Sequence, residues 1–128
     1  LAMMDLDNLK TINDEYGHRA GDDALMTIVQ LCRKAMRSSD AIARYGGDEF
    51  VILLPETNIE KAFSLAERIC QNVNKIPIET IPKSNAFLSV SIGVSEFDGK
   101  EKLESLLHRA DEALYEAKHL GKNQVVKK

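Results

Sequence analysis

Two adjacent carboxylates, Asp48 and Glu49, follow a pair of glycines between two short apolar runs. The pattern predicts a β-hairpin with acids at its tip, because Gly46 and Gly47 can adopt the positive backbone torsions of tight turns. Glycines also let a ligand approach the backbone closely. The neighbouring carboxylates at such a tip favour a divalent cation as the ligand. The alternative is a purely structural turn, although such turns more often use Asn-Gly or Asp-Gly.

A third acid, Asp5, lies near the end of the apolar segment 1–6, which is predicted to be a strand. If this strand lies beside the hairpin, three carboxylates meet at one edge of a sheet. Such an oxygen-only site suits Mg²⁺, which is held by one or two carboxylates together with substrate phosphates. Two uncompensated carboxylates about 4 Å apart repel by roughly 4 kcal/mol at an effective dielectric of about 20, so the cluster implies a cation. The alternatives are that Asp5 caps the next helix and that Asp48 and Glu49 form a solvated tip.

Composition narrows the class of protein. With 128 residues, 44% of them hydrophobic, the chain fits one domain with a single core. A net charge of -3 argues against binding nucleic acid by phosphate neutralisation, and the three histidines lack zinc-ligand spacing. Cys32 and Cys70 are interpreted as reduced core thiols, with a disulfide as the less favoured alternative. No segment has the length of a membrane span, so we expect a cytoplasmic domain without membrane contact, in a parent protein that could be membrane-anchored.

Helices and strands alternate along the sequence. Apolar residues at intervals of three and four predict helices over 8–16, 22–37, 59–73 and 103–117, the third introduced by a capping box at Thr57–Glu60. Strands are predicted at 1–6, 41–45, 50–54, 87–97 and 124–126, with loops at 17–22 and 75–86. Alternation over 87–97 predicts a half-buried strand with one apolar face. This order predicts an α+β fold in which an antiparallel or mixed sheet packs on helices.

The chain closely resembles the catalytic domain of diguanylate cyclases, the GGDEF domain, whose signature stands at Gly46–Phe50. Further matching segments follow the same order: Asp5–Lys10, Ile12–Asp14, Tyr16–His18, Gly21–Asp22, Ser91–Val94, Arg109–Asp111, Leu114–Tyr115 and Ala117–Lys118. The resemblance implies a ferredoxin-like core related to the palm of nucleotide cyclases and polymerases. It also implies one domain over 1–128 from which the family's N-terminal leading segment is missing.

The activity implied by the resemblance is the condensation of two GTP into cyclic di-GMP with release of two pyrophosphates, with Mg²⁺ or Mn²⁺ as cofactor. One domain holds one GTP, so a homodimer with opposed sites is expected, and an upstream sensory or receiver domain is the expected source of dimerisation. One alternative is a non-catalytic module that senses GTP or cyclic di-GMP on the same fold. Another is a mononucleotide cyclase that cyclises a single GTP.

The resemblance also assigns roles to individual residues. Asp5, Asp48, Glu49 and the backbone carbonyl of Leu6 are expected to hold the metal. Asp48 is the favoured general base for the GTP 3′-hydroxyl, with Glu49 assisting. The substrate site is completed by two residues expected to read guanine, Asn13 and Asp22, and by two glycines that admit GTP, Gly46 and Gly47. Three lysines are expected to bind the triphosphate: Lys10, Lys118 and Lys122. From the residues alone, Asn13 and Asp22 would be interpreted as capping or turn residues and the lysines as solvated.

A second site is suggested by Arg37 and Asp40, an Arg-x-x-Asp pair before the hairpin. The pair matches the inhibitory product site of the family, since Arg can grip a guanine edge or phosphate and Asp can accept from guanine. Arg68 matches the position that completes this site from a neighbouring domain. The alternative is a helix-terminal Arg favoured by the helix dipole and an Asp that opens a strand.

Overall fold

The structure is a computed structural model that describes residues 1–78 and 86–128. These residues form β1 (Ala2–Leu6), α1 (Leu9–Tyr16), α2 (His18–Ala35), β2 (Ala41–Arg44), β3 (Glu49–Leu53), α3 (Ile59–Val73), β4 (Val90–Val94), α4 (Leu103–His119) and β5 (Val125–Lys127). The predicted α+β class is therefore correct. Among the described helices, none is long and apolar enough to cross a membrane.

The strands form one mixed sheet in the order β2-β3-β1-β4-β5. All neighbours are antiparallel except β4 and β5, which are parallel. In the central strand β1, Asp5 lies opposite Glu49 of β3 on one side and Ser91 of β4 on the other. At the other end of the sheet, Ala2 of β1 and Lys127 of β5 both pair with Val94 of β4.

Helices cover both faces of this sheet. One face packs its apolar side chains, including Met4 and Leu6, against α1, α2 and α3 around Ile12, Ile28 and Ile69. The opposite face packs Leu1 and Met3 against Leu106, Ala110 and Leu114 of α4. Because Asp5 has the same parity in the strand as Met3, its side chain lies on the α4 face. Helix α4 is thus the helix that packs on the face of the sheet where the Asp5 side chain lies.

Strand β4 is buried on both faces, which corrects the prediction of a half-buried strand. The cause is the close approach of α4: a Cβ on Gly93 would lie 2.1 Å from the Ala110 carbonyl oxygen and 2.2 Å from the Leu114 nitrogen. On this face the buried Ser95 hydroxyl donates to the Leu106 carbonyl (3.0 Å). Small and hydroxyl-bearing residues therefore line a helix-covered face that periodicity alone suggests is exposed.

Two helix boundaries differ from the prediction. Residues 17–22 were expected to be a loop, but α2 begins at His18, and only Gly17, at φ 90°, separates it from α1. The α3 N-cap is Asn58, whose side chain accepts from the Lys61 N–H (3.0 Å), so the Thr57–Glu60 capping box is wrong by one position. Both cysteines are buried and free, which excludes the disulfide alternative.

The predicted loop at 75–86 lies partly outside the described residues, because 79–85 are not among them. On either side of that gap, Pro77 and Phe87 form an antiparallel bridge. The Leu88 N–H donates to the Ile76 carbonyl (2.8 Å) and the Ile78 N–H donates to the Ala86 carbonyl (2.9 Å). The described flanks are thus paired with each other.

Candidate functional site

Asp5 lies at the end of β1 that faces the hairpin, with 4% of its surface exposed. The pKa of this carboxyl is raised from 3.8 to about 6, chiefly by burial, with a smaller contribution from the negative charges of Asp48 and Glu49 and against the lowering effect of Lys118. The Lys118 ammonium, from the last turns of α4, donates a hydrogen bond to Asp5 Oδ2. Asp5 does not cap α1, whose N-cap is Asn8, so that alternative is wrong. A buried acid, two neighbouring acids and one ammonium group thus share this edge of the sheet.

The hairpin acids are fixed to β1 through the backbone. The Leu6 N–H donates to the Asp48 carbonyl (3.1 Å), and the Tyr45 N–H donates to the Glu49 carbonyl (2.8 Å) across the turn. Because residues directly opposite in an antiparallel pair share a face, the Glu49 and Asp5 side chains lie on the same face. The prediction that the first strand lies beside the hairpin is correct. The part of the Leu6 carbonyl as a ligand stays a prediction.

The glycines of the turn do not have the predicted conformation, since neither Gly46 nor Gly47 has a positive φ. Arg44 stabilises the turn instead: its Nε donates to the carbonyls of both glycines, each at 3.1 Å. A Cβ on Gly47 would meet no atom within 4 Å, whereas a Cβ on Gly46 would lie 2.9 Å from a Glu49 carboxylate oxygen. The turn is therefore open on its outer side, which leaves room for a ligand beside the acids.

The donor set suits a hard cation, although no cage is preassembled. Within 1–78 and 86–128, no group of three His, Cys, Asp or Glu side chains is close enough to hold a metal ion. The three carboxylates of Asp5, Asp48 and Glu49 thus lie along the same edge of the sheet without forming a closed metal site. The raised pKa of Asp5, which arises from burial and from its acidic neighbours, indicates that positive charge is lacking there. Mg²⁺ fits such an edge, because one or two carboxylates can hold it while phosphate oxygens and water complete its shell.

The predicted guanine-reading residues lie at the junction of α1 and α2. Asn13 is half-buried on α1 and Asp22 is exposed on α2, not in a loop. The Asn13 amide packs directly on Gly21, because a Cβ at that glycine would lie 1.9 Å from Asn13 Oδ1. Gly21 therefore leaves the space that the amide occupies, one residue before Asp22.

The three predicted triphosphate lysines come from both ends of the chain. Lys10 is exposed in the first turn of α1. Lys118 binds Asp5, and Lys122, just after α4, donates to the side-chain oxygen of Asn8 (2.6 Å). Two of the three ammonium groups therefore lie at the end of β1, one bonded to Asp5 and one to Asn8.

Sequence reasoning noted Asp7 as a second acid at the strand end but assigned no role to three polar residues that build this edge: Asp7, Asn8 and Arg44. Asp7 is 5% exposed and accepts hydrogen bonds from the Ser89 and Ser91 hydroxyls (2.8 and 2.7 Å) and from the Asn123 N–H (3.0 Å). The alternation Asp5-Leu6-Asp7 is the available signal, because it places both acids on one face of a strand.

The residues of the predicted inhibitory site also lie together. The Arg37 guanidinium donates to Asp40 Oδ1 (3.3 Å), to the Pro55 carbonyl (3.2 Å) and to the Thr57 hydroxyl (2.6 Å). The Arg37 side chain is 60% exposed, whereas that of Asp40 is 1% exposed. Arg68 of α3 donates to the Ala35 carbonyl at the end of α2 (3.2 Å), so it is bound within its own chain. Its role toward a neighbouring domain stays a prediction.

The acid-tipped hairpin beside a buried strand acid is matched by known proteins. Residues 1–124 fit the model of the family described as diguanylate cyclase, GGDEF domain, and the chain belongs to that family. Diguanylate cyclase DgcM of Escherichia coli K12 is 42% identical over 126 residues, which is 98% of this chain and 30% of that protein. The chain thus spans less than a third of this relative's length.

Solved structures agree with the fold. The active GGEEF domain of a diguanylate cyclase from Vibrio cholerae is similar with a TM-score of 0.90 at 35% identity, covering 98% of this chain and 80% of that one. The coiled coil and GGDEF domain of Caulobacter crescentus DgcB, in complex with c-di-GMP, gives a TM-score of 0.92 at 28% identity, covering 99% and 68%. The expected ferredoxin-like, palm-like fold is confirmed.

Proposed function

We propose that this domain is a diguanylate cyclase that condenses two GTP into cyclic di-GMP and releases two pyrophosphates. The observation that carries the proposal is the register of β1 and β3. That register sets buried Asp5 opposite Glu49 and bonds Leu6 to Asp48, beside the Lys118 ammonium. Family membership and relatives named diguanylate cyclases support the same activity.

The residues of this edge have different roles in the proposed reaction. Asp5, Asp48 and Glu49, with the Leu6 carbonyl, hold Mg²⁺ or Mn²⁺, which supplies neutralising charge to the triphosphate when it is bound. Asp48 takes the proton of the 3′-hydroxyl, with Glu49 assisting. Lys118 and Lys122 bind phosphate oxygens as point charges, and Lys10 extends this set along α1. Positioning and electrostatics, more than covalent chemistry, lower the barrier to attack on the α-phosphate.

Guanine is bound at the junction of α1 and α2. The Asn13 amide can both donate to the base and accept from it, and the Asp22 carboxylate accepts from its N1–H and N2 amine. Gly46 and Gly47 leave the hairpin backbone open, so that GTP reaches the acids from the outer side of the turn. These assignments predict selectivity for GTP over ATP.

Two copies of the domain are needed for the reaction, because one copy binds one GTP and the product ring contains two nucleotides. The catalytic form is therefore a homodimer in which two such edges face each other. In the full protein, an upstream sensory or receiver domain brings the copies together. This chain spans about a third or less of the length of these relatives, which leaves room for such a domain.

Product binding at Arg37 and Asp40 regulates the enzyme. Asp40 is buried against the guanidinium and holds it in place, while most of the Arg37 side chain is exposed and can grip a phosphate or guanine edge. Arg68 of a neighbouring domain completes the site. A related GGDEF domain has been solved in complex with c-di-GMP, which supports product as the ligand class.

The test is a fusion of the domain to a dimerising coiled coil, incubated with GTP and Mg²⁺ and analysed for cyclic di-GMP and pyrophosphate. The fusion should form both products, Asp48→Asn should form neither, and Glu104→Gln, an exposed acid at the far end of α4, should match the parent. A dimeric fusion that binds GTP without forming product would refute the cyclase and favour the sensing module. Cyclisation of single GTP molecules would instead favour the mononucleotide cyclase.

A further inference from the structure

Asp7 is a buried carboxylate without a cation partner among the described residues. Its Oδ1 accepts from the Ser91 hydroxyl (2.7 Å), and its Oδ2 accepts from the Ser89 hydroxyl (2.8 Å) and from the backbone N–H of Asn123 (3.0 Å). A carboxylate is costly to bury unless hydrogen bonds compensate it. Two of these donors are on the neighbouring strand segment, whereas Asn123 belongs to the turn between α4 and β5. The Asp7 carboxylate thus ties that turn to the end of β1.

The turn that Asp7 anchors has an uncommon backbone. Gly121, Lys122 and Asn123 have φ values of 117°, 64° and 50°. Two successive non-glycine residues in the left-handed region are unfavourable, and such conformations persist where surrounding contacts hold them. The Lys122 N–H donates to the Ala117 carbonyl (3.0 Å), which fixes the turn to α4. On its other side the turn is fixed to the sheet by the Asp7 carboxylate, which accepts from the Asn123 N–H, and by the Ile92 N–H, which donates to the Gln124 carbonyl (3.0 Å).

The result of this anchoring is the position of the Lys122 side chain. Its ammonium donates to the side-chain oxygen of Asn8 (2.6 Å), the residue that follows Asp7. Lys118, four residues earlier, binds Asp5, the residue two positions before Asp7. The two ammonium groups therefore flank the end of β1, where the proposed function places a triphosphate.

We propose that Asp7 is a positioning residue for triphosphate binding, since its carboxylate holds the 121–124 turn so that Lys122 lies over the end of β1. This inference rests on the proposed role of Lys122 as a contact of the nucleoside triphosphate. Asp7 touches neither substrate nor metal in this arrangement. It acts on the phosphates through the backbone N–H of Asn123.

The test measures binding of α,β-methylene GTP with Mg²⁺ by calorimetry in four proteins: the parent, Asp7→Asn, Lys122→Ala and the double variant. Lys122→Ala should bind the analogue about tenfold more weakly than the parent, because it loses one charged contact. Asp7→Asn should weaken binding several-fold, because a neutral amide oxygen accepts from the Asn123 N–H more weakly than the carboxylate does. The double variant should bind no more weakly than Lys122→Ala, within about twofold, because both changes remove the same contact.

Two further variants separate positioning from a general loss of structure. Lys122→Arg keeps the cation and should keep the sensitivity to Asp7→Asn. Asp7→Ser, whose shorter side chain does not reach the Asn123 N–H, should weaken binding in the same way with an unchanged melting temperature. It keeps the inference testable if Asp7→Asn does not fold. Ser91→Ala, which removes a hydroxyl donor to Asp7 but not the turn contact, is the matched control and should bind like the parent.

The outcomes are distinct. Folded Asp7→Asn protein with parental affinity, or a full additional loss in the Lys122→Ala background, would overturn the positioning role. Product formation by the dimerised parent is scored separately, so a failure of cyclase activity with non-additive binding would refute the proposed reaction and leave the role of Asp7 supported. Normal cyclase activity with additive losses in binding would support the proposed reaction and refute the role of Asp7.

Discussion

Replacing Asp5 by asparagine should stabilise the metal-free domain at neutral pH while removing its response to Mg²⁺. Burial raises the pKa of Asp5 from 3.8 to about 6, even though Lys118 opposes the change. At about 1.4 kcal/mol per pKa unit, the ionised carboxylate costs the fold about 3 kcal/mol. Asparagine removes this charge, and Lys118, whose side chain is 34% exposed, can turn toward water. We therefore expect a gain of about 1–3 kcal/mol in the free energy of unfolding at pH 7.5.

The sign of the pH dependence follows from the same pKa. Because the folded-state pKa of Asp5 lies above its unfolded value, the folded parent takes up the proton first as pH falls. The cost of the charge is complete above about pH 6 and disappears between about 6 and 3.8. The advantage of Asp5→Asn should therefore be largest at pH 7.5 and small near pH 4.

Urea unfolding in EDTA at several pH values measures this difference, and Asp111→Asn, an exposed acid of α4, serves as the matched control with no pH-dependent gain. Added Mg²⁺ should stabilise the parent and leave Asp5→Asn unchanged, since a cation that binds only the folded form adds to stability. If Asp5→Asn were less stable than the parent at pH 7.5 in EDTA, the attraction of Lys118 would outweigh the cost of burial, and the reasoning would be refuted.

Four further substitutions test other parts of the structure. Arg37→Ala should relieve inhibition by cyclic di-GMP without lowering the initial rate of the dimerised fusion; unchanged product sensitivity would count against that site. Gly93→Ala should cost more than about 3 kcal/mol in urea unfolding because its Cβ meets the α4 backbone, whereas Gly47→Ala, whose Cβ meets nothing, should cost less than about 0.5 kcal/mol. Gly21→Ala should displace the Asn13 amide and reduce the preference for GTP over ATP at least severalfold in competition binding; an unchanged preference would show that Asn13 does not read the base.

The elements and the acidic edge could be predicted because their signals are local. Apolar residues at helical spacing located each described helix, and two apolar runs around Gly46 and Gly47 located the hairpin. The acids Asp5, Asp48 and Glu49 stand at strand ends, where a sheet can bring them together. Only the register, which depends on pairing across the sheet, had to come from the structure.

The remaining features depend on distant partners. Asp7 accepts from the hydroxyls of Ser89 and Ser91, which are 82 and 84 residues away from it along the chain. It also accepts from the backbone N–H of Asn123, which is 116 residues away. Ser91 alternates with apolar residues and so suggests a solvated strand face, but α4 covers that face. The conformation of the hairpin glycines likewise involves Arg44, whose side chain donates hydrogen bonds to the carbonyls of both glycines. A prediction from the two glycines alone leaves these bonds out.

The pairing of Ala2 and Lys127 with the same residue, Val94, has an architectural consequence. Ala2 and Lys127 flank this residue on neighbouring strands, so the two chain ends are about 10 Å apart, twice the strand spacing. About three residues can bridge such a span. A circularly permuted chain with these ends joined should keep the sheet, and the domain can be inserted as a cassette into a surface loop of another protein. Either arrangement should leave the acidic edge at the far end of β1 untouched, so that another domain can be attached without rebuilding the proposed catalytic residues.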